Sequence, residues 1–200
     1  MFRKTKKTLI PLIVMALAAL SGLGGGCGNT PDPSTQKPGG LSPGDKAYDF
    51  SAMDSSGHMM KLSDLQEGWY LILVLYRGHW CGACQNQLLN LKEDYPKFQR
   101  LHAAIAAVSV DPLEESAHFN EQWRFPFPLL GDPQFHIIDA YGARHPEGHD
   151  GKDISRPAVI IIDPQKIVRY KYVGHNPTDR PENDEILFKI QQFQHEAPKS

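Results

Sequence analysis

Cysteine is scarce in this chain. Cys27, Cys81 and Cys84 are the three among 200 residues. A structural zinc site wants four ligands, and no second cysteine pair stands beside Cys81-x-x-Cys84 to complete one, so no metal is expected. Charge of one sign is lacking too. Twenty-one basic residues face 23 acidic ones for a net charge of −2, and no basic stripe appears, which argues against a nucleic-acid partner. The N-terminal apolar run Leu9 to Leu20 holds twelve residues, interrupted by Pro11. A bilayer-spanning helix needs about 20. No flavin, nicotinamide or phosphate-binding motif is present, so no cofactor is expected.

What is there suits one domain. The length is that of a single unit, and 40% hydrophobic with 22% charged residues fits a soluble core. The chain is organised around Leu71 to Cys84. Leu71-Ile72-Leu73-Val74-Leu75 reads as a buried strand. Arg77, Gly78 and His79 break it into a turn, and a helix begins at Cys81. Free backbone N–H groups and the positive dipole end at a helix start favour a thiolate at Cys81. A cysteine so placed can fall from about 8.5 to roughly 3.5–7.5 in pKa. Cys84 lies one turn further on the same face, close enough for the two sulfurs to form a disulfide.

Trp80-Cys81-Gly82-Ala83-Cys84 resembles the W-C-G-P-C site of thioredoxins, with Ala83 in place of proline. The longer run Tyr76-Arg77-Gly78-His79-Trp80-Cys81 resembles peroxiredoxin-like proteins of the alkyl hydroperoxide reductase/thiol-specific antioxidant (AhpC/TSA) family. Ser42-Pro43-Gly44-Asp45 and Phe127-Pro128-Leu129-Leu130-Gly131-Asp132-Pro133 are similar to further segments of that family. The resemblance covers roughly Leu41 to Phe193. It implies an α/β thioredoxin-like fold, with a central mixed sheet flanked by helices. It also implies a cis peptide before Pro157, which X–Pro chemistry alone does not favour.

The same resemblance implies an antioxidant thiol oxidoreductase in which Cys81 attacks a peroxide or a disulfide and Cys84 resolves the product. The resulting disulfide needs an external thiol electron donor, thioredoxin-like or a membrane reductase. Arg156 matches the arginine that peroxiredoxins place beside the thiolate, Arg77 is a second cation, and Trp80 packs on the dithiol turn. A guanidinium lowers a thiol pKa and orients a departing oxygen. Gly78 stands where the family carries a Thr or Ser hydroxyl, so slow peroxide reduction with ready disulfide exchange is expected. Three other readings stay open. One is a protein-disulfide reductase without a peroxidase role. Another is a copper chaperone drawing an imidazole from His145, His149 or His175. The last is a binding module with a static disulfide.

Residues 1–26 read as an export signal, with Arg3, Lys4, Lys6 and Lys7 ahead of the apolar run and Ser21, Gly22 and Gly24 to Gly26 after it. Cys27 then resembles a bacterial lipoprotein cleavage site and is the candidate for lipidation. Residues 27–40 read as a Gly-, Pro- and Ser-rich tether. Residues 41–200 form the domain. An extracytoplasmic location, in the periplasm or cell envelope with a membrane anchor, follows as an expectation.

Along the domain, Ser51 to Lys61 predict a hairpin, and a helix break falls between Leu91 and Pro96, where Asp94 can cap the new start. Ala104 to Val110 predict a strand, Glu114 to Arg124 a helix and Phe135 to Tyr141 a short helix. Arg144 to Ser155 read as a polar loop. Ala158 to Asp163 and Ile167 to Val173 predict strands, and a last helix runs from about Pro181 to Gln194. The Leu71 and Ile160 strands should be antiparallel neighbours, bringing Arg77, Trp80 and Cys81 next to Arg156 and Pro157.

Overall fold

A computed structural model describes residues 39–196. The export signal, Cys27 and most of the tether lie outside the described residues. Nine strands and six helices follow one another within the described residues. Strands β1 (Ser51–Asp54) and β2 (Met59–Lys61) form the expected hairpin, and α1 (Leu62–Gln66) leads to β3 (Tyr70–Leu75). Then come α2 (Gly82–Glu93), α3 (Tyr95–Arg100), β4 (Ala103–Ser109), α4 (Leu113–Trp123), β5 (Leu129–Gly131) and α5 (His136–Ala140). The chain closes with β6 (Arg144–His149), β7 (Lys152–Ser155), β8 (Ala158–Ile162), β9 (Val168–Val173) and α6 (Asn183–Glu196).

Seven strands build one mixed sheet in the order β2-β1-β5-β4-β3-β8-β9. Every residue of β3 is buried, as a strand covered on both faces must be, and this is why it reads as an unbroken apolar run. It pairs parallel with β4 and antiparallel with β8, in the register Leu71↔Ile162 to Leu75↔Ala158. Alternation sorts its side chains into two cores. Leu71, Leu73 and Leu75 pack with Leu62 and Leu65 of α1 and Ile137 and Ile138 of α5. Ile72, Val74 and Tyr76 pack on the other face with Leu88 and Leu91 of α2, Phe98 of α3, Phe119 of α4 and Ile186 and Ile190 of α6. The result is the expected α/β sandwich.

Three expectations need correction. The helix does break between Leu91 and Pro96, but the Asp94 side chain caps neither helix. Its carboxylate pairs with Lys97 at 2.8 Å and accepts from Asn183 of α6 at 2.9 Å, tying the break to the last helix. No cis peptide occurs among the described residues, so the bond before Pro157 is trans. Finally, Arg144 to Ser155 is not a loop. It is a separate two-stranded sheet, β6 with β7. Asp150 and Gly151 have φ of 49° and 70° and make its two-residue turn, the geometry that Asp-Gly favours in a tight hairpin. The strands are polar, which hides them from an apolar-periodicity reading. Arg144 binds Asp139 at 2.6 Å and Asp153 at 3.2 Å, fastening the hairpin to α5.

Candidate active site

The end of β3 delivers the chain into the turn Arg77-Gly78-His79-Trp80, and Cys81 is the N-cap of α2. The turn is clamped from two sides. Asp111, buried just beyond β4, accepts the His79 backbone N–H at 2.8 Å and the Ser109 hydroxyl at 2.9 Å, and lies 3.1 Å from His79 Nδ1. From α2, the Gln85 amide donates to the His79 carbonyl at 2.7 Å. Gly78 takes φ of 154°. A Cβ there would meet Trp80 Nε1 at 2.5 Å and Asp111 Oδ1 at 3.0 Å. The space for a hydroxyl side chain at this position is therefore filled by the indole.

Cys81 is 5% exposed and Cys84 fully buried, and both are free thiols. The Cys84 thiol donates to Cys81 Sγ across 2.7 Å. That hydrogen bond is the largest cause holding the Cys81 pKa down, to about 5. The Cys84 backbone N–H and the guanidinium groups of Arg77 and Arg180 add to it against the effect of burial. Cys84 moves the opposite way: donating its proton to Cys81, and buried besides, it is pushed far above an ordinary thiol. The pair is thus one thiolate and one thiol, with the thiolate on the more accessible sulfur. The helix-start position and the partner thiol act in the same direction.

The β6–β7 hairpin, which has no apolar signature in the sequence, closes over this turn. Arg77 Nη2 donates to the Gly148 carbonyl at 3.0 Å. The Trp80 ring has the Arg77 guanidinium 5.0 Å from its centre and stacks on the His149 ring at 3.5 Å. His149, weighed above as a metal ligand, is here a packing partner of Trp80. Among the described residues no three potential ligands gather into a metal-binding group.

Arg156 stands two residues before Ala158, which pairs with Leu75 at the end of β3, so it comes in at the same end of the sheet as Arg77. The Arg156 backbone N–H donates to the Ala143 carbonyl at 2.7 Å. Arg156 is half-buried, and its guanidinium has no hydrogen-bond or ion-pair partner among the described residues. Pro157 is buried beside it, its carbonyl accepting the Gly174 N–H at 2.8 Å. The cation in contact with the dithiol is another one. Arg180, in the loop before α6, brings Nη2 within 3.7 Å of Cys84 Sγ. Gln87 of α2 accepts from Arg180 Nη1 at 2.6 Å. Nothing in spacing marks Arg180, which is 96 residues from Cys84.

The AhpC/TSA family model matches residues 43–171. The chain belongs to the AhpC/TSA family. Among its relatives, the peroxiredoxin Bcp of Bacillus subtilis is 27% identical over 129 residues, 63% of this chain and 82% of the relative. Alkyl hydroperoxide reductase E of Mycobacterium tuberculosis is 27% identical over 132 residues, 65% of this chain and 84% of the relative. Solved structures share the fold. Peroxidoxin BcpB from Mycobacterium tuberculosis superposes with a TM-score of 0.69 at 24% identity, covering 80% of this chain and 99% of that one. A cysteine-to-serine mutant of the peroxiredoxin 6 of Arenicola marina gives 0.73 at 20% identity, covering 80% and 76%. This AhpC/TSA protein is thus a thioredoxin-fold thiol oxidoreductase of the peroxiredoxin type.

Proposed function

We propose that the protein reduces peroxides through Cys81 and completes the cycle through Cys84. The Cys81 thiolate attacks one peroxide oxygen, the O–O bond breaks, and the departing oxygen takes a proton as an alcohol or water. Cys81 is left as a sulfenic acid. Cys84 then loses its proton and attacks the Cys81 sulfur. A disulfide forms, and the sulfenic oxygen leaves as hydroxide and takes a proton to become water. An outside thiol donor returns both cysteines to the reduced state. The observation that carries this reading is the 2.7 Å hydrogen bond from Cys84 to Cys81, which generates a thiolate and sets its resolving partner against it. Arg156, whose guanidinium is unpartnered among the described residues and which enters at the same end of the sheet as Arg77, is the residue to steady the thiolate and the departing oxygen.

A second reading is favoured by Gly78. With no hydroxyl beside the thiolate, and with the indole in its place, the site suits disulfide exchange as well as peroxide reduction. Stopped-flow mixing of the reduced, metal-free protein with hydrogen peroxide and, separately, with a small disulfide tests both readings. Formation of the Cys81–Cys84 disulfide with peroxide is expected. Reaction with the disulfide alone would replace the peroxidase by a disulfide reductase.

The enzyme is further proposed to work outside the cytoplasm, held to a membrane through Cys27. The basic residues Arg3 to Lys7, the twelve-residue apolar run and the glycines before Cys27 support this. Mass spectrometry of the mature N-terminus tests it. A start at lipidated Cys27 is expected, and an intact Met1 would overturn it.

A further inference from the structure

Resting on the Cys81-attack, Cys84-resolution reading, we propose that Arg180 is a catalytic residue of the second half of the cycle. It stabilises the Cys84 thiolate both when that sulfur closes the disulfide and when it leaves on reduction. Two requirements on Cys84 make such a group necessary. Cys84 is fully buried, so its anion has no water to stabilise it. It also has to become an anion twice in each turnover. In resolution it gives up its proton, bonds to Cys81 sulfur and expels hydroxide. In reduction the donor thiolate attacks the more accessible Cys81 sulfur, the S–S bond breaks, and Cys84 departs as thiolate. A second donor thiol then attacks the donor sulfur of the mixed disulfide and frees Cys81.

Arg180 is built to meet that anion. Nη2 points at Cys84 Sγ from 3.7 Å. Nη1 donates to Gln87, one turn along α2 from Cys84, and the Pro177 carbonyl also accepts from Nη2. The guanidinium is held by its neighbours, and among the described residues no carboxylate pairs with it. Its Nε is buried and unpartnered among the described residues. The cations divide the work. Arg77 acts on Cys81 ahead of Arg180, whereas Arg180 contacts Cys84 directly. The other titratable groups facing Cys84 are Cys81 at the start of its own helix and Tyr76 just past β3; Arg77 meets Cys84 through its backbone, its charge acting on Cys81. The Tyr76 phenol is buried and held protonated. It therefore supplies no charge, and Cys81 is consumed as the sulfenic acid before Cys84 acts.

The test separates the two half-cycles. Purified Arg180→Met protein is mixed with hydrogen peroxide. Loss of the Cys81 thiolate and growth of the Cys81–Cys84 disulfide are followed by quenched-flow mass spectrometry across pH. Disulfide formation is expected to slow about tenfold, the scale of one charge-assisted hydrogen bond to a reacting anion. Its pH midpoint should move upward, while attack on peroxide changes less than in Arg77→Met. Reduction of the preformed disulfide by dithiothreitol should slow similarly. Gln87→Leu, which keeps the cation and removes its anchor, should give a smaller change in the same direction, and Arg180→Lys should restore part of the rate. These two variants carry the test if Arg180→Met does not fold. Unchanged disulfide formation and reduction in a folded Arg180 variant would overturn the role of Arg180 alone. A wild-type protein that never forms the Cys81–Cys84 disulfide with peroxide would overturn the underlying mechanism with it.

Discussion

Trp80 and His149 lie face to face, their ring centres 3.5 Å apart and their planes 13° from parallel. This stack, with the Arg77 to Gly148 hydrogen bond at 3.0 Å, joins the dithiol turn to a hairpin that begins more than 60 residues later in the chain. The hairpin is therefore a wall of the site, and its stability is coupled to that of the turn.

That coupling is measurable at His149. An aromatic pair is worth about 0.5–1.5 kcal/mol beyond its buried area. His149→Ala should destabilise the fold by about 1 kcal/mol and raise amide exchange in both the hairpin and residues 77–81. Faster exchange in the hairpin alone would mean that the stack does not brace the turn.

The Cys84 thiol is the largest single cause of the low pKa of the Cys81 thiolate. Alkylation of reduced wild-type protein should follow the thiolate. It should be nearly flat between pH 7 and 8 and fall away through a midpoint near 5. Cys84→Ala removes the donor, so the midpoint should rise toward the ordinary thiol value of about 8.5. A variant that still titrates near 5 would show that the helix start and the arginines suffice.

Arg156→Met should slow peroxide more than a small disulfide. With peroxide the guanidinium acts on both the thiolate and the departing oxygen. With a disulfide it acts mainly on the thiolate. One lost charge-assisted hydrogen bond, about 1.5–3 kcal/mol, corresponds to a rate loss of about tenfold to a hundredfold. Equal slowing of both reactions would limit Arg156 to tuning the thiol.

At Gly78 the crowding leads to a counter-intuitive outcome. Gly78→Thr restores the family's hydroxyl in sequence but puts a Cβ against Trp80 Nε1 and Asp111, at a backbone φ that side chains avoid. The variant should lose at least about 2 kcal/mol of stability, seen in denaturant unfolding, with no gain in peroxide rate. A faster and equally stable enzyme would refute the closure.

Asp132 offers a pH test away from the site. It accepts the backbone N–H groups of Ile137 and Ile138 at the start of α5, yet burial still raises its pKa to about 6. The unfolded value is about 3.9. A carboxyl raised by folding favours the folded state when protonated. Its contribution is therefore full below about pH 4 and is lost as pH climbs through about 6. Asp132→Asn should gain stability relative to wild type over that window, by up to about 3 kcal/mol, since a tenfold change in proton affinity is worth about 1.4 kcal/mol. Parallel unfolding curves of the two proteins from pH 4 to 8 would contradict this.

Much of the fold was legible in the sequence because it is written in local patterns. The unbroken apolar run of β3, the proline-marked break after Leu91 and the apolar face of α6 each reflect a rule that acts within a few residues. The dithiol belongs to that class too. A cysteine pair one helical turn apart at a helix start determines its own juxtaposition and the direction of its chemistry. The Asp150-Gly151 turn is equally local, yet it lay inside a stretch read as a polar loop. The polar strands beside it carried no apolar alternation, and that alone concealed the hairpin.

Tertiary structure decided what surrounds the sulfurs. Arg180 reaches Cys84 only because α6 packs Ile186 and Ile190 against the same core face as Leu88 of α2, which carries the preceding loop to the dithiol. Arg156 was singled out by resemblance, and the antiparallel pairing of β3 with β8 brings it to the same end of the sheet as Arg77. The structure places the direct contact to Cys84 with Arg180 instead. The closure at Gly78 likewise depends on where the Trp80 ring rests, against Arg77 and a histidine from a distant hairpin. Short-range backbone preferences specify a reactive pair of thiols. Contacts between segments tens of residues apart, invisible to periodicity and spacing, specify which cations and rings they meet.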